Sequence, residues 1–270
     1  MKYFDSHAHY YDERFSDECE KSADELIGAL LKTDVSYIIN VGTSPKTSKE
    51  AIIQAKKHKN MYTAIGVHPT DASSLTGGIE DTLAEIEGLI LDKENKCVAI
   101  GEIGLDYHYP DTNKELQQRY FKAQLLLAQR FKLPVVIHDR DAHGDVMEML
   151  GAHRGLRGVL HSFSGSPEMA RELCKMGYYI SFSGTVTFTN AKKVRESAGA
   201  VSIDRILIET DCPYLAPHPH RGTLNHSGNL VYTNHALAEI FGISDEKMAK
   251  ITEENAKALF NIKDTDRVGT

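Results

Sequence analysis

The sequence predicts an α/β protein: eight parallel strands closed into a TIM-type (β/α)8 barrel within a single domain. Three observations carry that prediction. Eight short apolar runs alternate with stretches of helical periodicity, the signature of a parallel α/β architecture. The length, 270 residues, is close to the roughly 250 that a one-domain barrel takes. Several apolar runs also end in His, Asp or Glu, and the C-terminal strand ends are where such barrels keep their active residues. A doubly wound open sheet is the competing architecture. It normally carries a glycine-rich phosphate turn after its first strand, and here that place holds His7-Ala8-His9.

Residues 2–7 form the first expected strand, leading into His7-Ala8-His9. A helix over 20–31 follows, with Ala23, Leu26, Ile27 and Leu30 at i, i+3, i+4, i+7 spacing. The second strand, 35–41, meets Ser44-Pro45, a cap and first residue for a helix running to about 58. The third strand, 61–67, ends at His68; the loop 71–78 leads to a helix over 79–91. The stretch 96–108, KCVAIGEIGLDYH, is the fourth strand, and it carries a lone carboxylate, Glu102, inside an apolar run. Burying such a group is costly unless it is paired or bound to a metal.

Thr112 and Glu115 suggest a capping box for a long helix with Leu116, Tyr120, Ala123, Leu127 and Phe131 on one face. The fifth strand, 133–137, ends at His138, with a helix over 141–150; the sixth, 157–160, ends at His161. Ser166-Pro167 starts the next helix and Gly177 stops it. The seventh strand spans 178–182, a helix 190–198, and the eighth strand 203–208, running into Glu209-Thr210-Asp211. Helices over 230–241 and 245–260, the second capped by Ser244, close the barrel region at 263 and leave a polar tail, 264–270.

Composition narrows the function. With 31 Lys+Arg against 38 Asp+Glu the net charge is −7, which argues against broad attraction to nucleic acid. A phosphate-bearing substrate would need cations or a few placed basic side chains. Cys19, Cys97, Cys174 and Cys212 lack C-x-x-C spacing and are expected to be reduced, intracellular thiols. No signal peptide or membrane span is expected, so the expected location is the cytoplasm, with no membrane partner. A monomer is plausible; the sequence leaves oligomeric state open.

If the strand ends converge, His7, His9, Glu102, His138, His161 and Asp211 meet at one mouth. His-x-His on an extended segment places both imidazoles on one side. Four His and two carboxylates suit two divalent cations sharing a carboxylate. Each residue has a plainer reading: His138 and His161 as satisfied polar residues, Asp211 as an Asx turn beside Cys212-Pro213. His58, His143, His153, His218, His220 and His226 fall in helices or loops and are expected to be mostly solvated.

The segments DSHAHY (5–10), IGVHP (65–69), GEIGLDYH (101–108), LPVVIHDRDA (133–142), LHSFSGS (160–166), ISFSGTVTF (180–188) and ETDCPYLAP (209–217) resemble the signatures of TatD-type metal-dependent hydrolases, which are similar to the wider amidohydrolase barrels. The resemblance covers nearly the whole chain, and GEIGLDY and ETD-x-PYLAP are its most specific parts. It implies a metal-dependent deoxyribonuclease acting on phosphodiesters. It implies one metal on His7, His9, Glu102 and Asp211, and a second on Glu102, His138 and His161. The chain departs from the family at Arg221-Gly222-Thr223-Leu224-Asn225-His226-Ser227, where a Glu/Gln-Pro pair is missing, and at Cys212, where Ser is common. Neither change touches an implied ligand.

The chemistry expected is hydrolytic, with Asp211 as candidate general base and Glu102 as shared ligand. His68 and Arg140 are expected to hold the phosphate, with a salt bridge to Asp139, Asp141 or Asp145 the plainer reading of Arg140. Imidazole-rich ligation favours Zn, Mn or Ni, whereas Mg prefers oxygen and is the family's usual assay ion. DNA or another phosphodiester is the expected substrate; an amide or ester hydrolase such as a D-aminoacyl-tRNA deacylase is the alternative.

Overall fold

The computed structural model describes residues 1–263; the expected polar tail, 264–270, lies outside the described residues. The strands are β1 (Tyr3–Ala8), β2 (Val35–Val41), β3 (Met61–Ile65), β4 (Cys97–Asp106), β5 (Val135–Arg140), β6 (Gly158–Leu160), β7 (Tyr179–Phe182) and β8 (Ile206–Ile208). The helices are α1 (Arg14–Asp17), α2 (Ala23–Thr33), α3 (Pro45–Lys57), α4 (Ile79–Leu91), α5 (Lys114–Phe131), α6 (His143–Ala152), α7 (Pro167–Lys175), α8 (Lys192–Ala200), α9 (Leu230–Phe241) and α10 (Asp245–Phe260).

Each strand pairs in parallel with the next in sequence, β1 through β8. The ring is completed just past β8: Ala8 bridges Cys212, Asp211 N donates to His7 O (2.9 Å) and His9 N to Cys212 O (2.8 Å). The seam of the barrel thus runs through the same short segments that carry His7, His9 and Asp211.

Strands buried on both faces read as continuous apolar runs, and two clusters explain why. One has members on all eight strands, among them Phe4, Ile39, Ala64, Ala99, Val136, Val159, Tyr179 and Leu207, and includes Leu259 and Phe260 of α10. That is the barrel interior, with α10 packed against it. The larger cluster lies between sheet and helices, with Ile65, Ile100, Ile137, Leu160, Ile180 and Ile208 facing Ile86, Phe121, Leu125 and Leu173.

Most elements fall where the sequence puts them, and the exceptions have local causes. The expected strand 203–208 begins at Ile206, because Arg205 N turns back to Ser202 O and Asn255 Nδ2 takes the carbonyls of Ile203 and Ile206. The third strand stops at Ile65: Val67 bonds the side chain of Gln124 through both its N–H and its C=O. Asn113, not Thr112, caps α5, its side chain accepting from Leu116 N. Ser22 and Glu25 form a capping box that starts α2 at Ala23, three residues later than expected.

Candidate metal centre

Simple alternation aims several of the site residues. Along β5 the interior Val136 is followed two residues on by His138; just past β6 and β8 Val159 is followed by His161 and Leu207 by Glu209, whereas Asp211 (φ +56°) lies where the chain has left the extended conformation. Ala64 of β3 leads in the same way through Gly66 to His68. β1 and β4 do not follow the rule. Both slip register, β1 between Asp5 and Ala8 and β4 between Ile100 and Ile103, and such bulges re-aim side chains. His7 and Glu102 arise within these irregular stretches. Two glycines make the β4 bulge possible. A Cβ on Gly101 would lie 2.6 Å from Val136 Cβ, and one on Gly104 (φ +144°) 2.0 Å from His138 O.

All six expected ligands converge. Glu102 sits between two groups and shows each a different oxygen. Its Oε2 is 3.4 Å from His7 Nε2 and 3.7 Å from His9 Nε2; Asp211 Oδ1 closes that group at 3.6 and 3.3 Å from the same nitrogens. Its Oε1 is 2.8 Å from His161 Nε2, 2.9 Å from His138 Nδ1 and 3.3 Å from His68 Nε2. His68, expected only as a phosphate contact, therefore lies among the potential ligands.

The donor set fits divalent cations. Pairs of ring nitrogens point at a common space, His7 and His9 2.9 Å apart and His138 and His161 3.1 Å apart. No Lys or Arg forms an ion pair with Glu102 or Asp211 among the described residues. Imidazole and carboxylate converging without a side-chain cation is the pattern of a borderline divalent-metal site.

The electrostatics follow from burial against charge. Burial opposes the ionised form of Glu102, but His161, His68, His7 and His138 hold its carboxyl well below the usual range. Burial is likewise outweighed at Asp211, which His9, His7 and His161 keep ionised below its ordinary value. Burial pushes His7 and His68 down. For His161 burial is overcome by Glu102 and Glu209, which raise it well above the ordinary imidazole value.

Outside this ring, the second nitrogen of each imidazole meets a different partner. His9 Nδ1 faces Val41 O at 2.7 Å and His68 Nδ1 faces Thr70 Oγ1 at 2.7 Å. His138 Nε2 faces Asp106 Oδ2 at 3.2 Å, and His161 Nδ1 faces Glu209 Oε1 at 3.4 Å. His7 Nδ1 is buried without a partner among the described residues. Asp106 and Glu209 escaped the sequence reading as site residues, although both are strand-end carboxylates close to an expected ligand, Asp106 after Glu102 on β4 and Glu209 before Asp211 just past β8.

The segment that departs from the family pattern is tied into the seam. Ser227 Oγ donates to Asp5 Oδ2 (2.6 Å) and lies 2.7 Å from Tyr10 OH; Asn225 Nδ2 donates to Thr210 O (2.9 Å) and Tyr214 O (2.7 Å). Asp5 also accepts from Thr210 N and Oγ1, joining β1 to the residues after β8. Burial raises Asp5 to about 6 despite those donors.

Arg140 is exposed at the end of β5, its guanidinium 5.7 Å from the centre of the Tyr109 ring. None of the three expected salt bridges forms. Asp139 faces His143, Asp141 faces His108, and Asp145 accepts from Tyr107 OH. Of the histidines expected to be solvated only His218 is exposed. His58 lies 3.6 Å from Asp24, His143 2.8 Å from Asp139, His153 on Met149 O, His220 on Tyr232 OH, and His226 Nδ1 accepts from Gly228 N. Helix and loop histidines find partners as readily as strand ones, and position alone did not reveal it.

A sequence model of the family described as TatD related DNase matches residues 4–261. The chain belongs to the TatD family. It is 42% identical over 262 residues to the uncharacterized metal-dependent hydrolase YabD of Bacillus subtilis, covering 96% of this chain and 99% of that one. It is 35% identical to the uncharacterized metal-dependent hydrolase YcfH of Escherichia coli, covering 96% and 95%. Among solved structures, the TatD homolog YJJV of Escherichia coli superimposes with a TM-score of 0.86 at 28% identity, covering 97% of this chain and 98% of that one. This TatD-family chain is accordingly a metal-dependent hydrolase with a TIM-type barrel fold. None of its described helices is long and apolar enough to cross a membrane.

Proposed function

We propose that this protein is a two-cation phosphodiesterase whose substrate is DNA. The observation that supports it best is the division of Glu102, with Oε2 toward His7 and His9 and Oε1 toward His138 and His161. A carboxylate so placed is the shared ligand of a pair of sites. His7, His9 and Asp211 would hold one cation with Glu102, and His138 and His161 the other; His161 also groups with His7 and Glu102, and His68 with Glu102 and His138. Divalent cations there, drawn from Mg, Mn, Zn or Ni, would acidify a water and neutralise charge on the phosphoryl oxygens.

The remaining steps belong to the chain. Asp211, kept ionised by its imidazole neighbours, takes the proton of the attacking water at a carboxylate oxygen. Glu102 holds the two groups at fixed separation. Arg140, which forms no salt bridge among the described residues and lies in the field of Asp106, takes a phosphate oxygen at the rim, and His68 a second from its place beside Glu102. A cytoplasmic location belongs to the same reading, supported by four free thiols.

Rates on single-stranded DNA, on D-aminoacyl-tRNA and on a small phosphodiester, measured on metal-stripped protein reloaded with each cation in turn, test the proposal. DNA turnover that requires added cation and exceeds the other two supports it. Faster ester cleavage on the charged tRNA would overturn the phosphodiesterase assignment.

A further inference from the structure

Glu209 is fully buried, and no Lys or Arg pairs with it among the described residues. One of its oxygens accepts Ser162 N (2.6 Å) and lies 3.4 Å from His161 Nδ1; the other has no partner, and neither does His161 Nδ1. A buried carboxylate and a buried imidazole nitrogen, each short of a hydrogen bond, thus stand face to face. A buried carboxyl group that accepts only the one hydrogen bond from Ser162 N is costly in a protein interior. Its cost is met when His161 Nδ1 carries the proton and donates it to Glu209. With Nδ1 so held, Nε2 is the nitrogen left to give up its proton to a cation; here it lies at hydrogen-bond distance from Glu102 Oε1, 2.8 Å away.

We propose that Glu209 is the positioning residue of His161, fixing its Nδ1–H tautomer and ring angle so that Nε2 is presented to a divalent cation. Glu209 lies behind the imidazole, is closed to solvent and touches no substrate. The proposal rests on the assignment of a cation to the His138–His161 half of the site. Partners of this kind raise ligand basicity, and their removal typically costs about 10–100-fold in metal affinity. Glu209→Gln keeps the shape and the acceptor for Ser162 N while removing the charge; Glu209→Ala removes both.

The experiment is calorimetric titration of metal-stripped wild type, Glu209→Gln, Glu209→Ala and His161→Ala with Zn2+ alone, beside melting curves that establish folding. Expected are about tenfold weaker binding in Glu209→Gln and up to about 100-fold in Glu209→Ala, confined to the ion that His161→Ala also loses. Wild-type Zn2+ affinity in a folded Glu209→Gln overturns the proposal. The nitrogen-15 spectrum of His161 in Zn2+-loaded wild type gives a second readout that needs no variant: a proton on Nδ1 and none on Nε2 is expected, and the reverse overturns it. The number of ions bound by wild type tests the two-cation reading separately, since Glu209 acts on whichever ion His161 holds.

Discussion

The two halves of the mouth use the same kinds of ligand and are backed in different ways. Behind His138 and His161 stand carboxylates, Asp106 and Glu209. Behind His9 stand the Val41 carbonyl and the Tyr11 hydroxyl, and behind His7 Nδ1 no hydrogen-bond partner among the described residues. Direct charge is distributed the opposite way. Asp211 serves only the His7–His9 half, whereas the other half has no carboxylate of its own besides the shared Glu102. One half takes its negative charge at the ligand, the other one shell further out. A carboxylate at the mouth can exchange protons with a substrate water; one buried behind an imidazole can only orient it. On the proposed reading, the contrast separates a chemically active half from an anchoring half.

The shared residue is the strongest place to test that contrast. Glu102→Ala should lower turnover by about 10³-fold or more, the size of several kcal/mol of lost charge stabilisation, with weakened binding of both ions by calorimetry. Loss of one ion only would mean that Glu102 belongs to a single half.

Asp211→Asn keeps the shape and one ligand oxygen but removes the charge. Turnover should fall about 10²–10³-fold, as for the loss of a general base, and saturating cation should refill the site without restoring the rate. Recovery at saturating cation would make Asp211 a ligand alone and move proton transfer elsewhere.

Arg140 stands two residues beyond His138, on the anchoring side. Arg140→Ala should raise KM for a DNA substrate by about tenfold, the worth of one charge-assisted hydrogen bond, with kcat nearly unchanged. A fall in kcat with constant KM would place that side in the chemical step.

The smallest effect is thermal. In metal-free protein the folded-state pKa of His161 lies well above 6.5, where burial is outweighed by Glu102 and Glu209. Its contribution to stability is therefore complete below 6.5 and is lost as pH rises through the raised value. Glu102, held well below 4.5, contributes above 4.5 and loses that contribution as pH falls through its lowered value. The metal-free melting temperature should fall by a few degrees from about pH 6.5 to about pH 9. Cation-loaded protein should show no such fall, because cations bind better as the imidazoles lose their protons. A metal-free protein that gains stability over that range would contradict the charge assignment of the anchoring half.

The sequence by itself determined the eightfold alternation, because buried parallel strands must be apolar and their helices amphipathic. It also pointed to six residues that converge at one mouth, since strand-end His, Glu and Asp at one face of a barrel have one place to go. Only the tertiary structure decided how those on β1 and β4 are aimed. His7 and Glu102 depend on register slips in β1 and β4, and a slip is a relation between strands that no single strand's spacing records. For His68, Asp106 and Glu209 the tertiary structure decided the partners. Each is legible as a strand-end polar residue. Which nitrogen or oxygen it meets is a distance between chain segments tens of residues apart, fixed by the closing of the barrel.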